Sequence, residues 1–190
     1  MLKGLQIGNL SQTDLKSAYQ VFETTIPDTY NKEGLGSRKK DIMNEIYFKK
    51  QLLDSSLTQD GPEIYFLLAK LNENVIGTIS FGPCGEDIKK CTERQLNNVG
   101  EIGSLFILPP YQGQGVGSAL LSTMVMQLDK QGIDQFCLDS GYKNAQKRWL
   151  RKFGEPYKVV KDYWGLNYDH MIWLCNVKSY LLPGVPKSNR

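Results

Sequence analysis

The chain has 190 residues, 41% of them hydrophobic and 23% charged, with a formal net charge of +3 at pH 7. That size suits one domain with a core large enough to need no disulfide staples. The weak positive balance lacks the strong basic footprint of a nucleic-acid binder, and no run approaches the roughly 20 apolar residues that span a bilayer.

Taken in chain order, Leu5 to Leu10 reads as a short first strand. Ser11 or Thr13 caps a helix whose Leu15, Ala18, Tyr19, Phe22 and Ile26 recur at i, i+3, i+4 spacing. Turn formers fill Pro27 to Ser37, and a second amphipathic helix follows over Arg38 to Leu57, with Ile42, Met43, Ile46 and Leu53 inward. The period then changes. Ile64 to Leu71 and Val75 to Phe81 form a hairpin around Asn72-Glu73-Asn74. A polar loop over Gly82 to Asn98 leads to a strand over Val99 to Leu108, ended by Pro109-Pro110. Gly115 to Lys130 is a helix with Val116, Leu120, Met124 and Leu128 on one stripe. Gln135 to Asp139 is a strand, and Asn144 to Phe153 a helix closed by Gly154. Tyr157 to Lys161 and His170 to Val177 are the last strands, and a frayed tail is expected over 181–190. The order β-α-α-β-β-β-α-β-α-β-β predicts one domain over 1–180 with a mixed sheet flanked by helices, an α/β (α+β) class and not a doubly wound parallel fold.

Cys84, Cys91, Cys137 and Cys175 form no Cys-x-x-Cys pair, and His170 is the single histidine, so no metal site is expected. Cys137 and Cys175 sit in apolar runs and read as reduced core residues. Cys84 and Cys91 are close enough to meet across a loop. Met1 to Leu10 has neither a basic region nor a long apolar run, so a cytoplasmic location is expected, and that location argues against a bridge.

Chemistry concentrates between Glu101 and Ser118. A strand runs into a turn carrying Gly113, Gly115 and Gly117, and the turn opens a helix. Glycines let the backbone approach a ligand closely, and unpaired N–H groups at a helix start favour a phosphate. A P-loop would need Gly-Lys-Ser/Thr, which is missing. A dinucleotide site is closer, because Gly113-x-Gly115-x-x-Ser118 approximates its fingerprint and Asp139 lies about 20 residues on. Against it, Pro109-Pro110-Tyr111-Gln112 separates strand from glycines, and a hairpin precedes the motif.

Gln112-x-x-Gly115-x-Gly117, after a strand ending in Pro109, resembles the pyrophosphate loop of the GCN5-related N-acetyltransferase (GNAT) family. Upstream, Glu101, Leu105, Ile107 and Pro109 are similar to that family's Glu-x-x-x-Leu-x-Val-x-Pro strand, and downstream Asn144 matches its usual asparagine. The resemblance runs over roughly Leu5 to Val177. It implies a mostly antiparallel central sheet, splayed around a CoA cleft and flanked by about four helices. It implies acetyl-CoA as co-substrate and an amine acceptor, with no nucleic acid or membrane partner and homodimerisation left open. Phe106, Ile107 and Leu108 would border the pantetheine arm. The amides of Gln112, Gly113, Gln114, Gly115, Val116, Gly117 and Ser118 would hold the pyrophosphate. Asn144 would contact the pantetheine or thioester, or else cap its helix. Glu101 would be the general base.

The family's usual tyrosine acid has no counterpart, since the candidate positions are Leu150 and Arg151. A non-catalytic acetyl-CoA sensor is therefore an alternative. The basic run Lys143, Lys147, Arg148, Arg151, Lys152, Lys158 and Lys161 reads as a solvated face or as a contact for the 3′-phosphate of CoA. Tyr163, Trp164 and Trp173 read as hairpin or core residues that could also wall the acceptor pocket, and His170 as structural. The segment Pro27 to Gly36, with Asp28, Tyr30 and Glu33, occupies the region that borders the acceptor in the family.

Overall fold

The computed structural model describes residues 2–58 and 63–181. Seven strands form one sheet in the order β1-β2-β3-β4-β5-β7-β6. The strands are β1 Gln6–Asn9, β2 Tyr65–Leu71, β3 Asn74–Gly82, β4 Gly100–Ile107, β5 Gln135–Ser140, β6 Lys158–Val160 and β7 His170–Asn176. The helices are α1 Leu15–Lys32, α2 Lys39–Ser55, α3 Glu86–Cys91, α4 Val116–Lys130, α5 Lys143–Phe153 and α6 Val177–Leu181. The sheet is mostly antiparallel, with β4 and β5 the parallel pair. This is the expected mixed architecture, with two short helices, α3 and α6, added.

The described residues fall into two compact units, one drawn from Met1–Gly82 and Ser104–Met124, the other from Pro83–Gly103 and Val125–Arg190. In the first, β1, β2 and β3 make an antiparallel meander with a bulge at Ala69/Lys70. Helix α1 buries Ala18, Val21, Phe22 and Ile26, and the Phe22 ring meets Phe66 and Phe106 edge-on at 6.5 and 5.4 Å. The C-terminal half of β4 joins β3, with Leu108 N–H donating to Ile76 O at 2.9 Å. Gly77 permits that approach, because a Cβ there would lie 2.6 Å from Ile107 Cδ1 and 3.1 Å from Phe106 O. At the start of the unit, Ser11 N–H donates to Asp14 Oδ2 at 3.0 Å, and Lys70 pairs with Asp14 at 2.5 Å. Burial works against the Asp14 charge, but Lys70 and Ser11 outweigh it and hold the carboxyl below its usual value.

The second unit packs Cys84, Ile88, Leu96, Cys137 and Ile172 into one cluster. Trp173 is fully buried and donates its indole N–H to Gly154 O at 2.9 Å. Gly154, at φ +77° and ψ −151°, ends α5 in a backbone conformation that glycine adopts without a Cβ penalty.

Several expectations need correction. Helix α1 does not stop at Ile26 but continues through Pro27 to Lys32, and Thr25 and Thr29 back-bond to the carbonyls of Val21 and Thr25. Met43 is 69% exposed rather than inward, since it lies one residue off the stripe that buries Ile42 and Leu53. The polar loop after β3 contains α3, which buries Ile88. The cysteines need no correction: Cys84 and Cys91 do not bridge, as the sequence reading favoured, and all four cysteines are free. The expected tail lies, from residue 182 onward, outside the described residues.

Candidate active site

Strand β4 delivers the glycine motif. After Ile107 the chain makes a 3-10 turn over Pro109–Tyr111, closed by Tyr111 N–H to Leu108 O at 2.9 Å. Gly113 and Gly115 then take φ values of +76° and +85°, which L side chains rarely adopt, with open space where a Cβ would stand. Gly117 is different. It lies in the first turn of α4 outside the left-handed region, and a Cβ there would make ordinary contact with Ile107 at 3.7 Å. Ala119 N–H donates to Gly115 O at 2.9 Å. The amides of Val116, Gly117 and Ser118 precede that bond and by helix geometry have no intrahelical acceptor. Gly113, Gln114, Gly115 and Ser118 are exposed, while the Val116 side chain is buried. The turn therefore leaves consecutive N–H groups without an intrahelical acceptor in a largely exposed stretch of chain.

The side chains of the turn brace it. Gln112 donates to Ile107 O at 2.9 Å and accepts from Lys32 at 3.3 Å, and Gln114 donates to Pro110 O at 2.6 Å. Lys32, in the last turn of α1, also pairs with Asp28 at 2.5 Å. Asp28 is thus neutralised inside a helix, and this end of α1 carries an ammonium group beside the glycine turn. Sequence reading missed Lys32, which lies 80 positions from Gln112.

Phe106, Ile107 and Leu108 are half-buried. The Leu108 amide is committed to β3, so by strand alternation the main-chain groups of Leu105 and Ile107 turn to the other edge. Ser104 sits within β4 at φ +49°, accepts Thr78 Oγ1–H on its carbonyl at 2.8 Å, and buries a hydroxyl that has no partner among the described residues.

Glu101 belongs to the part of β4 that pairs with β5, through Gly100 with Phe136 and Glu101 with Cys137. Its Oε2 accepts Gly85 N–H at 2.7 Å, and a Cβ on Gly85 would stand 2.9 Å from that oxygen. The carboxylate is half-buried, not a plain surface glutamate. Burial first, and then Glu101 and Asp139 by charge, push the Cys84 thiol up.

Asn144 is exposed in the first turn of α5, but it is not the cap, because Tyr142 holds that position. Of the basic run, Lys143 lies 4.4 Å from the Tyr168 ring, Lys152 5.0 Å from the Tyr180 ring, and Lys161 pairs with Asp169 at 2.6 Å. Leu150 is half-buried and Arg151 exposed. Tyr157 donates to Gln95 at 2.7 Å. No group of three or more His, Cys, Asp or Glu able to hold a metal occurs among the described residues.

A second polar constellation, which the sequence did not single out, lies at the end of β5. His170 is 2% exposed, its Nδ1 accepts the Trp164 indole N–H at 3.0 Å, and its Nε2 lies 3.1 Å from Asp139 Oδ2. The Tyr163 ring lies 5.1 Å from the imidazole. Tyr163 donates to Asp87 at 2.7 Å, and that bond pushes the phenol strongly up.

The comparisons with known proteins agree with this geometry. The Acetyltransferase (GNAT) family matches residues 21–154. The fold is similar to a GNAT-family protein from Desulfovibrio desulfuricans (TM-score 0.68, 16% identity, covering 91% of this chain and 99% of that one). It is also similar to the PaiA N-acetyltransferase from Thermoplasma acidophilum, solved with coenzyme A (TM-score 0.64, 22% identity, 89% and 98% covered). No curated protein matches the chain by sequence. A strand that ends in proline, a left-handed glycine turn, a helix with open amides and a family match spanning all three place the chain in the GNAT acetyltransferase family.

Proposed function

We propose that residues 1–180 act as one cytoplasmic acetyltransferase domain that moves an acetyl group from acetyl-CoA to a primary amine of a small molecule or peptide. The observation that carries the reading is the turn from Gly113 to Ser118, whose positive-φ glycines lead into successive amides without an intrahelical acceptor at the start of α4. Such a cradle suits a pyrophosphate, and Lys32, held by Gln112 Oε1, adds an ammonium donor beside it. The pantetheine arm pairs with the edge of β4 that Leu105 and Ile107 offer, alongside Phe106 and Leu108, and Asn144 supplies a further polar contact.

In the reaction the amine nitrogen bonds to the thioester carbonyl carbon, the C–S bond breaks, and CoA leaves as thiolate. Glu101 takes the proton that the nitrogen sheds, directly or through water. A backbone N–H of β4 stabilises the oxyanion. With leucine and arginine where the family has tyrosine, the thiolate leaves without an assigned acid. That same substitution favours a second reading, a domain that binds acetyl-CoA without turnover. Thermal shift with CoA, acetyl-CoA, NAD and NADP tests the ligand class, since native-state binding raises stability by mass action. A shift with NAD and none with CoA refutes the reading. Thiol release from acetyl-CoA across an amine panel then separates enzyme from sensor.

A further inference from the structure

Asp139 stands two residues beyond Cys137, the partner of Glu101, so by strand alternation it shares the face of β5 that Cys137 occupies. Its side chain is 27% exposed. One oxygen faces His170, and the other, Oδ1, takes no partner among the described residues. The imidazole behind it is fixed in an unusual way. An indole N–H can only donate, so His170 Nδ1 must accept and the ring proton sits on Nε2, toward Asp139. At 3.1 Å that nitrogen is close to Oδ2, yet the angle misses a true hydrogen bond, which leaves a fully buried polar atom incompletely satisfied. A buried donor in that state is costly unless something completes the network.

Two aromatic side chains hold the imidazole in place. Trp164 is 42% exposed, and its position over Gly141 depends on the missing Cβ, which would stand 2.5 Å from the indole nitrogen. Tyr163 packs edge-on to it at 4.8 Å between ring centres. Among the described residues no lysine or arginine pairs with Asp139; Lys161 pairs with Asp169 and Lys143 lies over Tyr168. A carboxylate that is 27% exposed, with no ion-paired lysine or arginine among the described residues, is the chemistry that recognises an alkylammonium group.

We propose that Asp139 anchors an alkylammonium group of the acceptor and that His170, its tautomer set by Trp164, positions the carboxylate. This rests on the acetyltransferase reading and adds the acceptor class to it. The ammonium is either the reacting amine before it loses its proton or a second charged amine on the same molecule.

The single histidine makes the test direct, because imidazole proton–nitrogen correlation spectra contain one residue. The full chain is titrated with n-butylamine, diaminobutane and n-butanol, with and without saturating CoA. The expected results are a proton on Nε2 in the free protein and saturable shifts of the His170 signals with the amines but not the alcohol. Equal response to both amines identifies the reacting ammonium, and response to diaminobutane alone identifies a second one. Asp139→Asn should weaken amine binding about tenfold or more while CoA affinity by calorimetry stays unchanged. Trp164→Phe, which removes the indole donor, should change the tautomer signature and weaken amine binding with CoA affinity kept. A proton on Nδ1, an equal response to butanol, no response to either amine, or undiminished amine binding by a folded Asp139→Asn overturns the proposal. Absence of CoA binding in the same calorimetry would instead overturn the acetyltransferase reading.

Discussion

Replacing Gly117 by alanine separates the two reasons a glycine can stand in a phosphate turn. Gly117 is helical, and its added Cβ would rest 3.7 Å from Ile107 Cγ1, an ordinary contact. The fold should therefore gain from the change. Alanine in place of glycine within a helix is worth about 0.5–1 kcal/mol, and a chain of this size moves roughly 2–4 °C per kcal/mol, so Tm should rise by about 1–4 °C. Binding should go the other way. If the pyrophosphate sits against the first turn of α4, the methyl group blocks it, and CoA affinity should fall about tenfold or more, close to 1.4 kcal/mol. Gly115→Ala is the contrast. At φ +85° it carries a left-handed penalty of about 1–2 kcal/mol, so it should lower Tm as well as affinity. Calorimetric titration with CoA and thermal melts on both variants give the four numbers needed. A stabilised Gly117→Ala with wild-type CoA affinity would mean that the phosphates bind elsewhere.

Glu101→Gln should lower turnover of the bound complex by about 10² to 10⁴-fold while acetyl-CoA affinity is kept; Glu101→Ala should also cost stability, because Gly85 N–H loses its acceptor. Near-native turnover and an unaltered pH–rate profile in a stable Glu101→Gln would remove the residue from the mechanism. Ser104→Val should destabilise by about 1–3 kcal/mol, since a β-branched residue is poorly tolerated at φ +49°, whereas Ser104→Gly should melt at or above the wild-type temperature; equal melting of the two variants would show that the left-handed backbone costs nothing. Asp14 has a depressed folded pKa, so its contribution is present above its unfolded value near 3.8 and is lost as pH falls through the lower folded value. The Tm difference between wild type and Asp14→Asn should hold steady at neutral pH and close below about pH 4; a gap that persists in acid would rule out the ionised carboxylate as its source.

The long elements were legible because their periods are strong. Val116, Leu120, Met124 and Leu128 marked α4, and the hairpin of β2 and β3 was visible from two compact apolar runs around the turn Asn72 to Asn74. Helix α3 was not, because six residues with one buried apolar group, Ile88, make no readable stripe. Pro27 suggested an end to α1, yet packing of Val21, Phe22 and Tyr30 carries the helix past it. The glycine turn was legible as a motif, but its division into left-handed Gly113 and Gly115 and helical Gly117 needed backbone angles. Lys32 beside Gln112, and His170 between Trp164 and Asp139, are meetings made by the fold between distant positions, and no local pattern announces them.

Neither compact unit is a continuous stretch of chain. The chain crosses the boundary three times: after β3, between Gly82 and Pro83; within β4, between Gly103 and Ser104; and within α4, between Met124 and Val125. No single cleavage can therefore release either unit whole. A fragment ending before β4 would leave β3 without the Leu108–Ile76 bond and α1 without Phe106 against Phe22. A fragment starting at Val125 would lack α3 and the Gly100–Phe136 and Glu101–Cys137 pairs. Ribosomal synthesis meets the same constraint: residues 1–82 emerge with an incomplete core and must wait until β4 and the first turns of α4 have followed. Interruptions late in translation should leave aggregation-prone chains rather than a stable half-protein.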